Sequence, residues 1–201
     1  MVDASVDTVY DGAGGVRDTL VANAVELVEE RGLADFTGRE VARRAGVSHG
    51  APRRYFPTLE SLLAAVAVRG FAMLGNDLGH AAGELPETDA RARLMAIAQR
   101  YVRFAVDHPA LFEVMFRHDL LANSGQGLRA HSTDVFAVAQ GAIAAVIDVE
   151  GTDLVAERTA VDLWAGIHGL ATLVARRAIE VIATDPVEVL VERQVRAHLG
   201  A

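Results

Sequence analysis

The chain has 201 residues and a mass of 21.4 kDa, which suits one large domain or two small ones, and 51% hydrophobic residues exclude a disordered chain. It holds no cysteine, which excludes a disulfide scaffold, thiol catalysis and cysteine-ligated metal, and which fits a reducing cytoplasm. The net charge of −8 argues against nucleic acid taken alone, but it is unevenly spread. All nineteen basic residues are Arg, and residues 37–56 hold five of them against the single acid Glu40. Alanine is abundant and aromatics make up only 5%, a balance that favours helices over sheets.

Residues 1–15 carry Asp3, Asp7, Asp11 and three glycines without apolar periodicity, and read as a disordered arm rather than a signal peptide. Leu20, Val21, Ala24, Leu27 and Val28 recur at helical spacing, and Gly32 ends that helix. Thr37-Gly38-Arg39-Glu40 has the form of a capping box. A short helix follows, closed by Gly46, with Val47 placed to plug the core and Ser48 to cap the next helix, about 49–55. Pro57-Thr58 opens another helix that runs to about His80. Long helices are expected over 88–107, about 128–149 and about 153–183, with a short one at 111–116. Asp185-Pro186-Val187-Glu188 is a strong start signal for the last helix. The longest apolar stretch, 135–147, is too short to span a bilayer. No strand or repeat is found. The expected fold is all-α, about nine helices, with a helix-turn-helix domain at 16–62 and a helical bundle at 63–201.

Helix, glycine turn and short second helix over 37–55 make a helix-turn-helix. The second helix must enter the major groove, so a polar face is needed, and His49, Arg53 and Arg54 supply one. Gly50 and Ala51 allow close approach to the sugar–phosphate backbone. Amides at the helix starts, near Gly38 and Ser48, can donate to phosphates.

From Arg17 to Leu63 the chain resembles the N-terminal domain of tetracycline-repressor (TetR) family regulators. The resemblance is carried by Ala24, Val28, Gly32-Leu33, Phe36-Thr37, Arg39 and Val41-Ala42. Ala45-Gly46-Val47-Ser48, Gly50, Tyr55-Phe56-Pro57 and Glu60-Ser61-Leu62-Leu63 continue it. Arg53 stands where the family usually has Tyr, and Leu59 where it often has Lys. Trp164 to Leu170, with Tyr101 to Phe104 and His108 to Phe112, is similar to the Trp…His-Gly type of C-terminal domain. The resemblance implies a homodimeric, non-enzymatic regulator whose repression of operator DNA is relieved by a small molecule. Phosphate contacts are then expected from Thr37, Arg39, Arg53 and Tyr55, with Arg17 in reach, and base contacts from His49 and Arg54.

The bundle offers an apolar effector site without metal or cofactor. Tyr101, Phe104, Phe112, Met115, Phe116, Phe136, Gln140, Trp164 and His168 are its candidate residues. His168 can line the site, or it can pack between helices where Gly166 and Gly169 allow close contact. The 163–182 segment is apolar nearly all round and needs a second cover. Leu170, Val174, Val187, Leu190, Val191 and Val195 are the expected dimer contacts. A helical ligand-binding or catalytic bundle that never touches DNA is the competing class, and a constitutive architectural DNA-binder the third.

Overall fold

A computed structural model describes residues 15–117, 127–149, 153–181 and 183–199. Among them are nine α-helices and no strand. They are α1 (Val16–Arg31), α2 (Gly38–Arg44), α3 (Ala51–Tyr55), α4 (Leu59–Gly83) and α5 (Ala90–Asp107). The chain continues with α6 (Pro109–Met115), α7 (Leu128–Ile147), α8 (Leu154–Ala175) and α9 (Val187–Leu199), with a single 3₁₀ turn at Ile179–Val181. The arm expected over 1–15 lies outside the described residues except for Gly15, which precedes α1.

The first three helices pack on the start of α4 around Leu20, Ala24, Leu27, Val28, Val41, Phe56 and Leu62, all buried. Gly46 closes α2 with φ at +68°, a left-handed conformation that glycine adopts without a Cβ penalty. Around it Val47 N–H donates to the Ala42 carbonyl at 3.0 Å and Gly46 N–H to that of Arg43 at 3.3 Å. This is a Schellman motif, and it turns the chain toward α3 while Val47 packs against the core.

Several starts and stops differ from expectation. Thr37 caps α2 by accepting from the Glu40 N–H at 3.2 Å, but the Glu40 carboxylate turns to arginines rather than back to Thr37. A full capping box stands instead at α4, between Thr58 and Ser61. Ser48 does not cap α3 with its hydroxyl; its carbonyl accepts from Ala51 N–H at 2.9 Å, and the helix begins at Ala51. The helix expected over 153–183 stops at Ala175. Arg177 takes a left-handed φ of +55°, and Ala178 and Arg177 donate to the Leu173 and Val174 carbonyls in a second Schellman motif. Asp185 accepts from Arg193 at 2.7 Å, and α9 starts at Val187.

The remaining helices form the bundle. α4 is its central member, packed on α1, α5, α6 and α7, and α9 lies on α5 and α8. A Cβ on Gly166 would fall 1.7 Å from Gln194 Nε2, so glycine there permits the α8–α9 approach; Gly169 has open space instead. By length and composition α4 and α7, the latter containing the 135–147 stretch, could each cross a membrane, with mean hydropathy 1.3. In the fold both are bundle helices.

Candidate functional site

The helix-turn-helix sorts its five arginines into two groups. Glu40 takes a bidentate pair from Arg43, at 2.8 and 2.7 Å, and lies 3.4 Å from Arg44 Nε and 3.7 Å from Arg31. Arg44 reaches across to Glu30 on α1 at 2.6 Å. Those guanidinium groups hold the Glu40 carboxyl down at about 2, the hydrogen bonds from Arg43 being the largest cause. Arg43 and Arg44 therefore tie α2 to α1. Arg39, Arg53 and Arg54 are exposed and make no ion pair among the described residues.

These three are joined by exposed Thr37, Ser48, His49, Gly50 and Tyr55, with Gly38 at the α2 start half-buried. Arg17 sits over the Phe56 ring, 5.2 Å from its centroid. Ala51 departs from expectation. It is buried with Pro52 against the core, because α3 uses its first turn for packing, and only Arg53, Arg54 and Tyr55 of that helix face outward.

The second feature is a cavity of about 320 Å³ walled by α4, α5, α7 and α8 with Phe116 at the end of α6. Tyr101, Phe116, Phe136 and Trp164, four of the nine candidates, line it. The structure places the other five elsewhere. Phe104 and Met115 are fully buried core residues. Phe112 and His168 stand behind the wall, facing a separate surface pocket. Gln140 is half-buried on α7 and outside the lining. Chain reading missed Phe71, Leu78, Ile97, Ile143 and Ile167 as wall residues, because an apolar side chain at helical spacing carries no mark that separates a cavity from a core.

His168 links the two sides. Its ring is stacked on Trp164 at 5.1 Å and on Phe112 at 5.4 Å. Its Nδ1 is 2.9 Å from the Tyr101 hydroxyl, which also accepts from Trp164 Nε1 at 3.3 Å. Burial lowers the His168 pKa and pushes the Tyr101 hydroxyl well above its usual range, so both are neutral near pH 7.

Residues 20–66 match the model of bacterial regulatory proteins of the tetR family, and residues 94–198 match the tetracyclin repressor-like C-terminal domain. The chain belongs to the tetracycline-repressor family. As a TetR-family protein it is a DNA-binding transcriptional regulator. Among solved structures, a protein of unknown function from Rhodococcus sp. RHA1 is 29% identical, with a TM-score of 0.78, covering 96% of this chain and 97% of that one. A TetR-family transcriptional regulator from Streptomyces coelicolor is 21% identical (TM-score 0.66; 90% and 80% covered). Thermus thermophilus FadR, a TetR-family transcriptional repressor in complex with lauroyl-CoA, is 20% identical (TM-score 0.64; 91% and 93% covered). No curated protein matches the chain. The two neighbours below 25% identity support the TetR fold.

Proposed function

We propose that this TetR-family chain is a cytoplasmic, non-enzymatic, one-component repressor that binds palindromic operator DNA as a homodimer and is released by a small, mostly apolar effector. The observation that carries the reading is the division of the basic segment. Two arginines are consumed in holding the helix-turn-helix together, while Arg39, Arg53 and Arg54 stay exposed without an ion pair among the described residues. Arg39 and Arg53, with Thr37, Tyr55 and Arg17, position the protein on phosphates; His49 and Arg54 read base edges in the major groove. The domain limits proposed with this division of labour are 16–62 and 63–201, the boundary falling inside α4.

Dimerisation is assigned to the outer face of α8 with α9. Val191 and Val195, expected at the interface, are buried inside the chain, so they are already spent on the monomer core. Leu170, Val174, Val187 and Leu190 are half-buried and can still contribute. Leu154, Val161, Leu173 and Val189 are exposed, and a second copy is the natural cover for them. Two copies of α3 then address two half-sites.

The effector site is the cavity, whose lining includes no Asp, Glu, Arg or His among the described residues. Such a wall favours apolar, uncharged molecules, since an unpaired charge is expensive to bury. A ligand acts on operator affinity only through its different affinities for two states of the protein. Binding-site selection from random DNA tests the reading. An enriched inverted repeat is expected, and recovery of no common sequence would contradict it.

A further inference from the structure

The cavity wall has few polar atoms, and their hydrogen bonds restrict what a ligand can offer. Ser132 and Thr133 sit at one end, and their hydroxyls donate to the Arg129 carbonyl at 2.9 and 2.8 Å. Away from that end, Tyr101 on α5 and Trp164 on α8 are the polar side chains of the described lining. An indole N–H can only donate, so the Trp164 contact occupies one lone pair of Tyr101 Oη. The phenol proton needs an acceptor, and His168 Nδ1 stands 2.9 Å away. With the hydroxyl as donor and Nδ1 as acceptor, the phenol proton and the ring nitrogen are both satisfied by this one contact. A neutral imidazole then carries its proton on Nε2. With its proton given to His168 and one lone pair filled by Trp164, Tyr101 Oη has a single acceptor position left.

We infer that the cavity takes a neutral, hydrocarbon-rich molecule with a hydroxyl group, and that this hydroxyl donates to the remaining lone pair of Tyr101 Oη. The assignment deepens the effector reading above and rests on it. An ether oxygen cannot donate. A carbonyl needs a donor, which requires the His168 proton to move from Nε2 to Nδ1 so that Tyr101 can turn its own proton inward. A carboxylate meets no cation among the described residues of the lining. Trp164 and His168 act as positioning residues, because they fix which face of the Tyr101 oxygen is open.

The test is calorimetric binding of three probes to the full chain, without DNA: 1-octanol, heptyl methyl ether of matched size, and octanoate. 1-Octanol is expected to bind wild type about fivefold or more tightly than the ether, the size of one net hydrogen bond. Tyr101→Phe should remove the preference of the cavity for the alcohol over the ether. Equal binding of alcohol and ether to wild type overturns the inference, as does tighter binding of octanoate or silence of all three probes. The probe comparison on wild type stands even if Tyr101→Phe folds poorly. Since no DNA is present, such a failure leaves the operator-binding reading standing, and loss of that reading shows separately in site selection.

Discussion

Glu29 on α1 and His108 at the junction of α5 and α6 meet directly, Oε1 to Nδ1, at 3.1 Å. The contact joins the helix-turn-helix domain to the bundle. From His108 the chain enters α6, and the rings of Phe112 and Phe116 at its inner side lie 5.4 and 4.5 Å from His168, behind the cavity wall. One seven-residue helix thus touches both the reading domain and the ring cluster that holds Tyr101.

Burial raises the Glu29 carboxyl above its ordinary value of 4.5, outweighing the opposite pull of His108. A raised carboxyl pKa means that the fold prefers the protonated form. That stabilisation is present below 4.5 and is lost as pH rises through the higher folded value. Wild type should therefore lose melting temperature relative to Glu29→Gln as pH is raised from about 4 to about 7. A gap between the two proteins that stays constant over that range would contradict it.

Glu40 has the opposite sign. Its folded pKa of about 2 lies below the ordinary 4.5, so its contribution is present above 4.5 and lost as pH falls through about 2. Glu40→Gln should melt below wild type at neutral pH, with the difference vanishing near the acid end. Circular-dichroism melts across the acid range measure it.

The arginine groups separate by salt dependence. Arg39→Ala and Arg53→Ala should each lower the slope of log affinity against log salt by about 1, one phosphate each. Arg54→Ala should cost about 1–3 kcal/mol on the best site and relax preference at one base pair. Arg43→Ala should leave the salt slope alone and lower the melting temperature, because Glu40 loses its bidentate partner.

Assembly gives a contrast between two substitutions. Leu173→Glu charges an exposed apolar position and should yield a folded monomer at micromolar concentration. Val191→Glu puts the charge in the monomer core and should unfold or aggregate the chain. Sedimentation with melting curves reads both, and a wild-type monomer would remove the two-fold arrangement.

Legibility in the chain followed the range of the interaction. Gly46 announces its own left-handed turn, so the helix-turn-helix was readable locally. Arg177 makes the same motif without glycine, and nothing in the 153–183 pattern marks the stop at Ala175. The Arg44–Glu30 pair spans fourteen positions and exists only because α1 and α2 cross, so composition counted as free a charge that the fold neutralises. Ala51 and Pro52 turn inward because a five-residue helix has to anchor itself with its first turn. Likewise the split of the aromatic candidates between cavity, core and outer pocket depends on how four helices meet.

In the proposed function the exposed arginines of α3 place this protein on its operator. Fluorescence-anisotropy titration of the selected site with wild type and with Arg53→Ala/Arg54→Ala, at one fixed salt concentration, tests it directly. Specific sites bind at about 10⁻⁸ M or tighter, and non-specific DNA at about 10⁻⁴ to 10⁻⁶ M. Wild type is expected in the first range and the double variant at least about a hundredfold weaker, with its fold intact by circular dichroism. Equal affinity of the two proteins for the selected site would contradict the placement of α3 in the groove.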